Sequence, residues 1–177
     1  MNTSIIKISK SFVALGLVAI LGACGDWSTA NPNTPLPDNT FNGLVVPPDP
    51  GVATNATVAG VDTDKNGIRD EIDRYIAQKY GAEKNKFVVA QALAKANQLL
   101  LITPTTDINA ATAAVYANAD AGVCLADKFE NDRVAGSKLN NDMVRQTFNT
   151  RDRKKQVQSI VFKVGQFTRS TEGVICK

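Results

Sequence analysis

The sequence predicts a small all-α protein: a bundle of four or five helices preceded by an Asp-rich loop and a disordered, Pro-rich tether. Three features lead to that fold class. From Arg69 onward, apolar residues recur at helical spacing and the connections between runs are short. Six of the seven prolines fall within residues 25–60, where no periodic apolar pattern exists. Between the two lies VDTDKNGIRDEID, residues 61–73, with four Asp, one Asn and one Gly in thirteen positions.

The chain opens with MNTSIIKISKSFVALGLVAILGAC, in which Lys7 and Lys10 precede an uncharged apolar run from Phe12 to Ala23. This is the pattern of a secretory signal over residues 1–23, and the run is shorter than the ~20 residues a membrane span needs. The signal ends either in ordinary cleavage after Ala23 or in lipidation of Cys24. Residues 24–60 then read as a tether, which as a coil spans about 33 Å and fully extended reaches roughly 110 Å. Phe41, Leu44, Val45 and Val46 interrupt it, either within the tether or as a short arm lying on the domain. Trp27, the only Trp, sits three residues from Cys24, close enough to rest in the headgroup layer.

The folded part is expected over residues 61–177. Ile72, Tyr75, Ile76 and Tyr80 form one face of a first helix that ends at Gly81. A second runs from about Glu83 to Ile102 with Val89, Leu93, Ala96 and Leu100 at helical spacing, and Pro104 closes it. Asp107 is the expected N-cap of a third, carrying Ile108, Val115, Ala119 and Val123 toward Phe129. After a connector, NDRVAGS, a fourth covers Lys138 to Phe148. Asn149, with Asp152 three residues on, starts a fifth that presents Val157, Ile160, Val161, Val164 and Phe167.

The Asp-rich loop is the main chemical handle. Counted from Asp62, side-chain oxygens fall at positions 1 (Asp62), 3 (Asp64), 5 (Asn66), 9 (Asp70) and 12 (Asp73), with Gly67 at 6 and the Ile68 carbonyl at 7. Alternate side chains on a flexible loop converge on one point while Gly makes the sharp turn, and calcium takes six to eight such oxygens. The segment resembles EF-hand-like calcium loops, and is more similar to the thrombospondin type 3 and dockerin variants than to the paired helix-loop-helix form. Position 8 is Arg69 where an apolar residue is usual, position 12 is Asp and not Glu, and no helix leads into the loop. A single extracellular loop implies a dissociation constant of roughly 10⁻⁴ to 10⁻³ M. At ~10⁻⁴ M and ~1 mM calcium, linkage stabilises the fold by about 1.4 kcal/mol, the behaviour of a clamp and not of a switch. The alternative is a set of polar turns with an acidic first turn suited to the helix dipole.

Leu21-Gly22-Ala23-Cys24 resembles the lipobox of bacterial lipoproteins, in which the Cys carries the acyl chains; beyond these motifs the chain resembles uncharacterised bacterial lipoproteins. That resemblance implies a membrane-anchored envelope protein. Gly25, not Asp, follows the Cys, which favours the outer membrane; inner-membrane anchoring and a soluble periplasmic form are the alternatives. With Cys24 acylated, Cys124 and Cys176 remain as an even pair in an oxidising compartment and are expected to form one disulfide. It would close about 52 residues and contribute roughly 4 kcal/mol.

Removing residues 1–23 leaves 18 basic against 17 acidic residues, a net charge of +1 that gives no electrostatic case for nucleic acid. The basic run Arg151–Lys155 is either a solvated helix face or a patch for anionic lipid or peptidoglycan-linked polymers. His is absent, which removes Ser-His and Cys-His catalysis and most zinc sites. Two function classes stand: a non-catalytic, calcium-stabilised module binding an envelope protein or glycan, and a hydrolase using carboxylates alone. Asp127 and Glu130, three apart on one helix, are the pair the hydrolase would need.

Overall fold

In the computed structural model, residues 39–165 and Val174 are described. The signal segment, Cys24, Trp27, Phe167 and Cys176 lie outside the described residues. Five helices follow in order: α1 (Asp70–Tyr80), α2 (Lys84–Ile102), α3 (Ile108–Lys128), α4 (Arg133–Thr147) and α5 (Arg151–Val164). Before them come a two-stranded hairpin, β1 (Thr40–Phe41) and β2 (Leu44–Val45), and a 3₁₀ turn, Gly51–Asn55. The architecture is the small all-α bundle expected. Among the described residues, no helix is long and apolar enough to cross a membrane.

Helix α2 is apolar on several sides and therefore becomes the axis on which α1, α3, α4 and α5 all pack. Its first half joins Ile72, Ile76 and Tyr80 of α1 and Leu139 and Met143 of α4 in one cluster, into which Ile68 of the loop also inserts. Its last turn joins a second, smaller cluster: Leu100 meets Ala111, Ala114 and Val115 of α3 and Ile160 of α5. The small side chains at 111 and 114 make up much of α3's buried face there. Ile108, expected on the buried face of α3, is instead exposed in its first turn.

Helix ends follow from side-chain caps. Asp107 caps α3 as its sequence suggests, accepting from the amides of Asn109 (2.9 Å) and Ala110 (3.0 Å). Helix α4 begins five residues earlier than the expected Lys138, because Asp132 accepts from the Ala135 amide at 3.0 Å. Gly136 makes NDRVAGS look like a connector, yet its role is packing: a Cβ there would fall 2.9 Å from Phe129 Cβ. At α5 the cap is Thr150, not Asn149, whose Oδ1 accepts from the Arg153 guanidinium instead.

The main departure from the sequence reading is residues 47–60, which are docked on the helices where a disordered tether was expected; for Phe41, Leu44, Val45 and Val46 the structure takes the arm alternative. Asn42 (φ 51°) and Gly43 (φ 77°) form the tight turn of the hairpin, which pairs Thr40 with Val45 and Phe41 with Leu44. Arg74 of α1 holds it: Nη1 donates to Asn39 Oδ1 (2.9 Å) and to the Pro47 carbonyl (3.0 Å), and the guanidinium lies 5.1 Å from the Phe41 ring centre. Residues 54–58 are held by Arg153 of α5, a fully buried side chain. Its guanidinium donates to the carbonyls of Thr54 (2.5 Å), Thr57 (3.3 Å) and Val58 (3.0 Å), and to Asn55 Oδ1 (2.9 Å). Arg153 thus falls out of the basic surface expected over 151–155.

Two stability tests follow from this packing. Arg153→Ala leaves the buried Thr54 carbonyl and the part-buried carbonyls of Thr57 and Val58 without this donor and should destabilise the protein by about 3 kcal/mol in urea unfolding. Limited proteolysis should then cut within 54–60 before it cuts the helices; unchanged stability and protection would refute the clamp. The second test concerns Asp142 on α4, which accepts from Lys79 Nζ (2.5 Å) and the Tyr80 hydroxyl (2.7 Å). The Lys79 hydrogen bond, aided by Tyr80 and opposed by burial, holds its carboxyl below the ordinary Asp range. A lowered folded pKa gives stability that is present above about pH 4 and lost as pH falls through the folded value. Asp142→Asn should therefore melt lower than the parent at pH 7, with the difference shrinking below pH ~4.

Candidate metal centre

The loop bends back on itself through two left-handed residues, Lys65 (φ 58°) and Gly67 (φ 86°); the second is the Gly at the sharp turn. Asp62 organises the bend. Its Oδ1 accepts from the Asn66 amide (3.1 Å) and its Oδ2 from the Gly67 amide (3.0 Å). Asp64 Oδ1 also accepts from the Asn66 amide (3.2 Å), and Asn66 Oδ1 accepts from the Ile68 amide (2.7 Å). Asp70, the first residue of α1, is tied back by Thr63, whose amide (2.8 Å) and hydroxyl (2.6 Å) donate to its two oxygens. The Asp70 amide in turn donates to the Val61 carbonyl at 2.9 Å, closing the loop at its base.

This folding brings one carboxylate oxygen from each of Asp62, Asp64 and Asp70 within 4.8 Å of the others. Asp73 joins through Asn66, whose Nδ2 donates to Asp73 Oδ2 (2.6 Å) and Asp64 Oδ2 (3.1 Å). An amide donor thus stands between two carboxylates where positive charge is wanted. Burial pushes the Asp73 carboxyl up to about 6; the Asn66 hydrogen bond opposes this, and repulsion from Asp64, Asp62 and Asp70 adds to it. Asp64, Asn66 and Asp73 also line a cavity of about 250 Å³ whose other walls include Leu44 and Pro47 of the docked arm and Phe87 of α2.

Of the six expected ligand residues, Asp62, Asp64, Asn66, Asp70 and Asp73 therefore form one connected group. Ile68 is there too, with its side chain sunk in the core as a fixed anchor for the loop. Sequence reasoning missed Thr63, which orients Asp70, and Arg69, which it took only as a departure from the usual position 8. Arg69 is fully buried. Its Nε donates to Glu71 Oε1 (2.6 Å), Nη1 to Gln98 Oε1 (3.3 Å), and both Nη atoms reach the Thr147 carbonyl at the end of α4 (3.1 and 3.2 Å). The helix end supplies unpaired carbonyls and partial negative charge, so an Arg suits the place.

Asp127 and Glu130 are both exposed, and Asp127 lies 3.7 Å from Lys128 Nζ. Cys124 is disulfide-bonded, and the other two cysteines lie outside the described residues. The fold and the loop together define a small helical protein with an acidic loop fixed at the start of its first helix. Compared with known proteins, the chain matches no family model, no curated protein and no solved structure.

Crowded carboxylates oppose folding when no cation balances them. In chelator at pH 7, Asp73→Asn should therefore raise the melting temperature, because it removes one charge from the cluster while leaving an amide of the same shape. A lowered melting temperature in chelator would show that the cluster is already balanced by its hydrogen bonds.

Proposed function

We propose that the protein is a lipid-anchored envelope protein with a structural calcium site at Asp62–Asp73, acting as a non-catalytic binding or structural module. The observation that carries this reading is the convergence of the Asp62, Asp64 and Asp70 oxygens beside the Asn66 amide. A donor set made of carboxylate and amide oxygens, without His or thiolate, suits a hard cation and not zinc. Asp62, Asp64, Asn66, Asp70 and Asp73, with the Ile68 carbonyl, would hold the ion. It would supply the positive charge that the four carboxylates lack.

The lipid anchor is Cys24, and Gly25 after it favours the outer membrane. The loop then has a mechanical place in the design. It joins the arm at residue 60 to α1 at residue 70, so a bound ion stiffens the junction between the anchored segment and the bundle. The absence of His and the exposure of Asp127 and Glu130 support a binding or structural role over hydrolysis.

Calorimetric calcium titration, with melts in calcium and in chelator, tests the site on the soluble form beginning at Gly25. Saturable binding near ~10⁻⁴ M and a raised melting temperature are expected in the parent and not in Asp62→Ala/Asp64→Ala. Equal behaviour of the two forms would make the loop a helix-starting turn. Fractionation of a Cys24→Ala form of the full chain tests the anchor: it should leave the membrane, and unchanged retention would end the lipoprotein reading.

A further inference from the structure

Three basic side chains, Arg133, Lys138 and Arg145, line one open groove of about 580 Å³ along α4, with Ser137 and Asn141 between them. All five are exposed. Among the described residues, none of the three cations enters an ion pair. The one carboxylate in the groove, Asp142, already accepts from Lys79 and Tyr80. Asp132, just ahead of Arg133, turns its carboxylate back onto the Ala135 amide. Asp142 also feels Lys138 through space, so the strip holds three cations against one carboxylate that Lys79 already shares, and positive charge is in excess along it. At ~1.5 Å per residue, Arg133 and Arg145 stand about 18 Å apart along the helix with Lys138 between them. The three are therefore spread along the groove and do not converge on a single anion.

We propose that this groove binds a linear anionic glycan, one carrying carboxylate or phosphate groups along its length. Arg and Lys meet the repeated charges, and the Ser137 hydroxyl and Asn141 amide are placed to exchange hydrogen bonds with sugar hydroxyls between them. A lipid surface suits the strip less well, since interfacial binding buries a row of apolar side chains. Val134 is the one large apolar residue exposed in the groove. The inference is independent of the calcium loop, which lies on other elements.

The test uses the full chain in nonionic detergent, titrated with fluorescent oligogalacturonate and with phosphomannan at low and at physiological salt. Binding to at least one is expected, weakening as salt rises. Arg133→Gln/Lys138→Gln/Arg145→Gln should weaken it by ~tenfold or more, as loss of three charge contacts requires. Arg151→Gln/Lys154→Gln/Lys155→Gln removes the same charge from exposed positions of α5 and should bind within about twofold of the parent. Melting curves of both variants should match the parent, since all six side chains are exposed. Failure to bind either glycan, or equal losses in the two variants, would overturn the proposal. So would equal or tighter binding of polyglutamate or of phosphatidylglycerol vesicles, which would assign the groove to an acidic peptide or to a membrane.

Discussion

An irregular segment can lie on a helical bundle only if its carbonyls find donors, and here arginine side chains supply them. Residues 39–60 have only a two-residue strand pair and one 3₁₀ turn of their own. Most of their backbone polarity has to be met from elsewhere. Arg74 takes the hairpin end and Arg153 takes residues 54–58, while Gln98 Nε2 donates to the Ala59 carbonyl at 2.7 Å. A guanidinium offers five N–H donors in a flat fork and keeps its charge when buried, which no other side chain does. The same chemistry caps α4, where Arg69 meets the carbonyls of Gln146 and Thr147.

Placing Arg69 and Arg153 close together has an electrostatic cost. Burial, and then repulsion from Arg69, lower the pKa of Arg153, and Glu71 offsets part of that effect. Gly60 shows how tight the junction is: it has φ 71°, and a Cβ there would lie 2.2 Å from Arg69 Cδ and 3.0 Å from Arg153 Nη2. Any larger residue would have to displace both side chains. The arm, the loop and the ends of α4 and α5 therefore meet at one point, and Arg69 belongs to the loop as well as to that junction.

The helices were legible in the sequence because their apolar residues repeat at the helical period and their ends carry Asp, Gly and Pro signals. Asp107 and Gly81 are placed as the sequence suggested. The start of α4 was not legible, because Gly136 and Ser137 read as loop residues, and only the contact with Phe129 explains a Gly inside the helix. The loop's acidic residues were legible from spacing, whereas the part played by Thr63 was not, since any polar residue could occupy that place in the pattern. The docked arm was hidden for a different reason. Its prolines and lack of period describe local propensity, and its order comes from arginines that lie up to 99 residues away in sequence. The apolar residues Phe41, Leu44, Val45 and Val46 were a local signal for an arm, and the Asn42-Gly43 hairpin turn between them was a second that went unread.

Composition hid the distribution of charge in the same way. A net charge of only +3 over the chain suggests a surface without strong fields, but the charges are sorted and not mixed. Four carboxylates gather in one loop, two guanidiniums are buried against carbonyls, and the acids nearest α4 are engaged by Lys79, Tyr80 and a backbone amide. The acids nearest α4 are thus already engaged, and its cations, whose successive members stand roughly 8 and 11 Å apart along the helix, are spaced by about the ~8 Å screening length. The near-neutral total constrains what the whole molecule attracts at long range. What a groove attracts is set by which of its neighbours have already been neutralised, and that is decided by the fold.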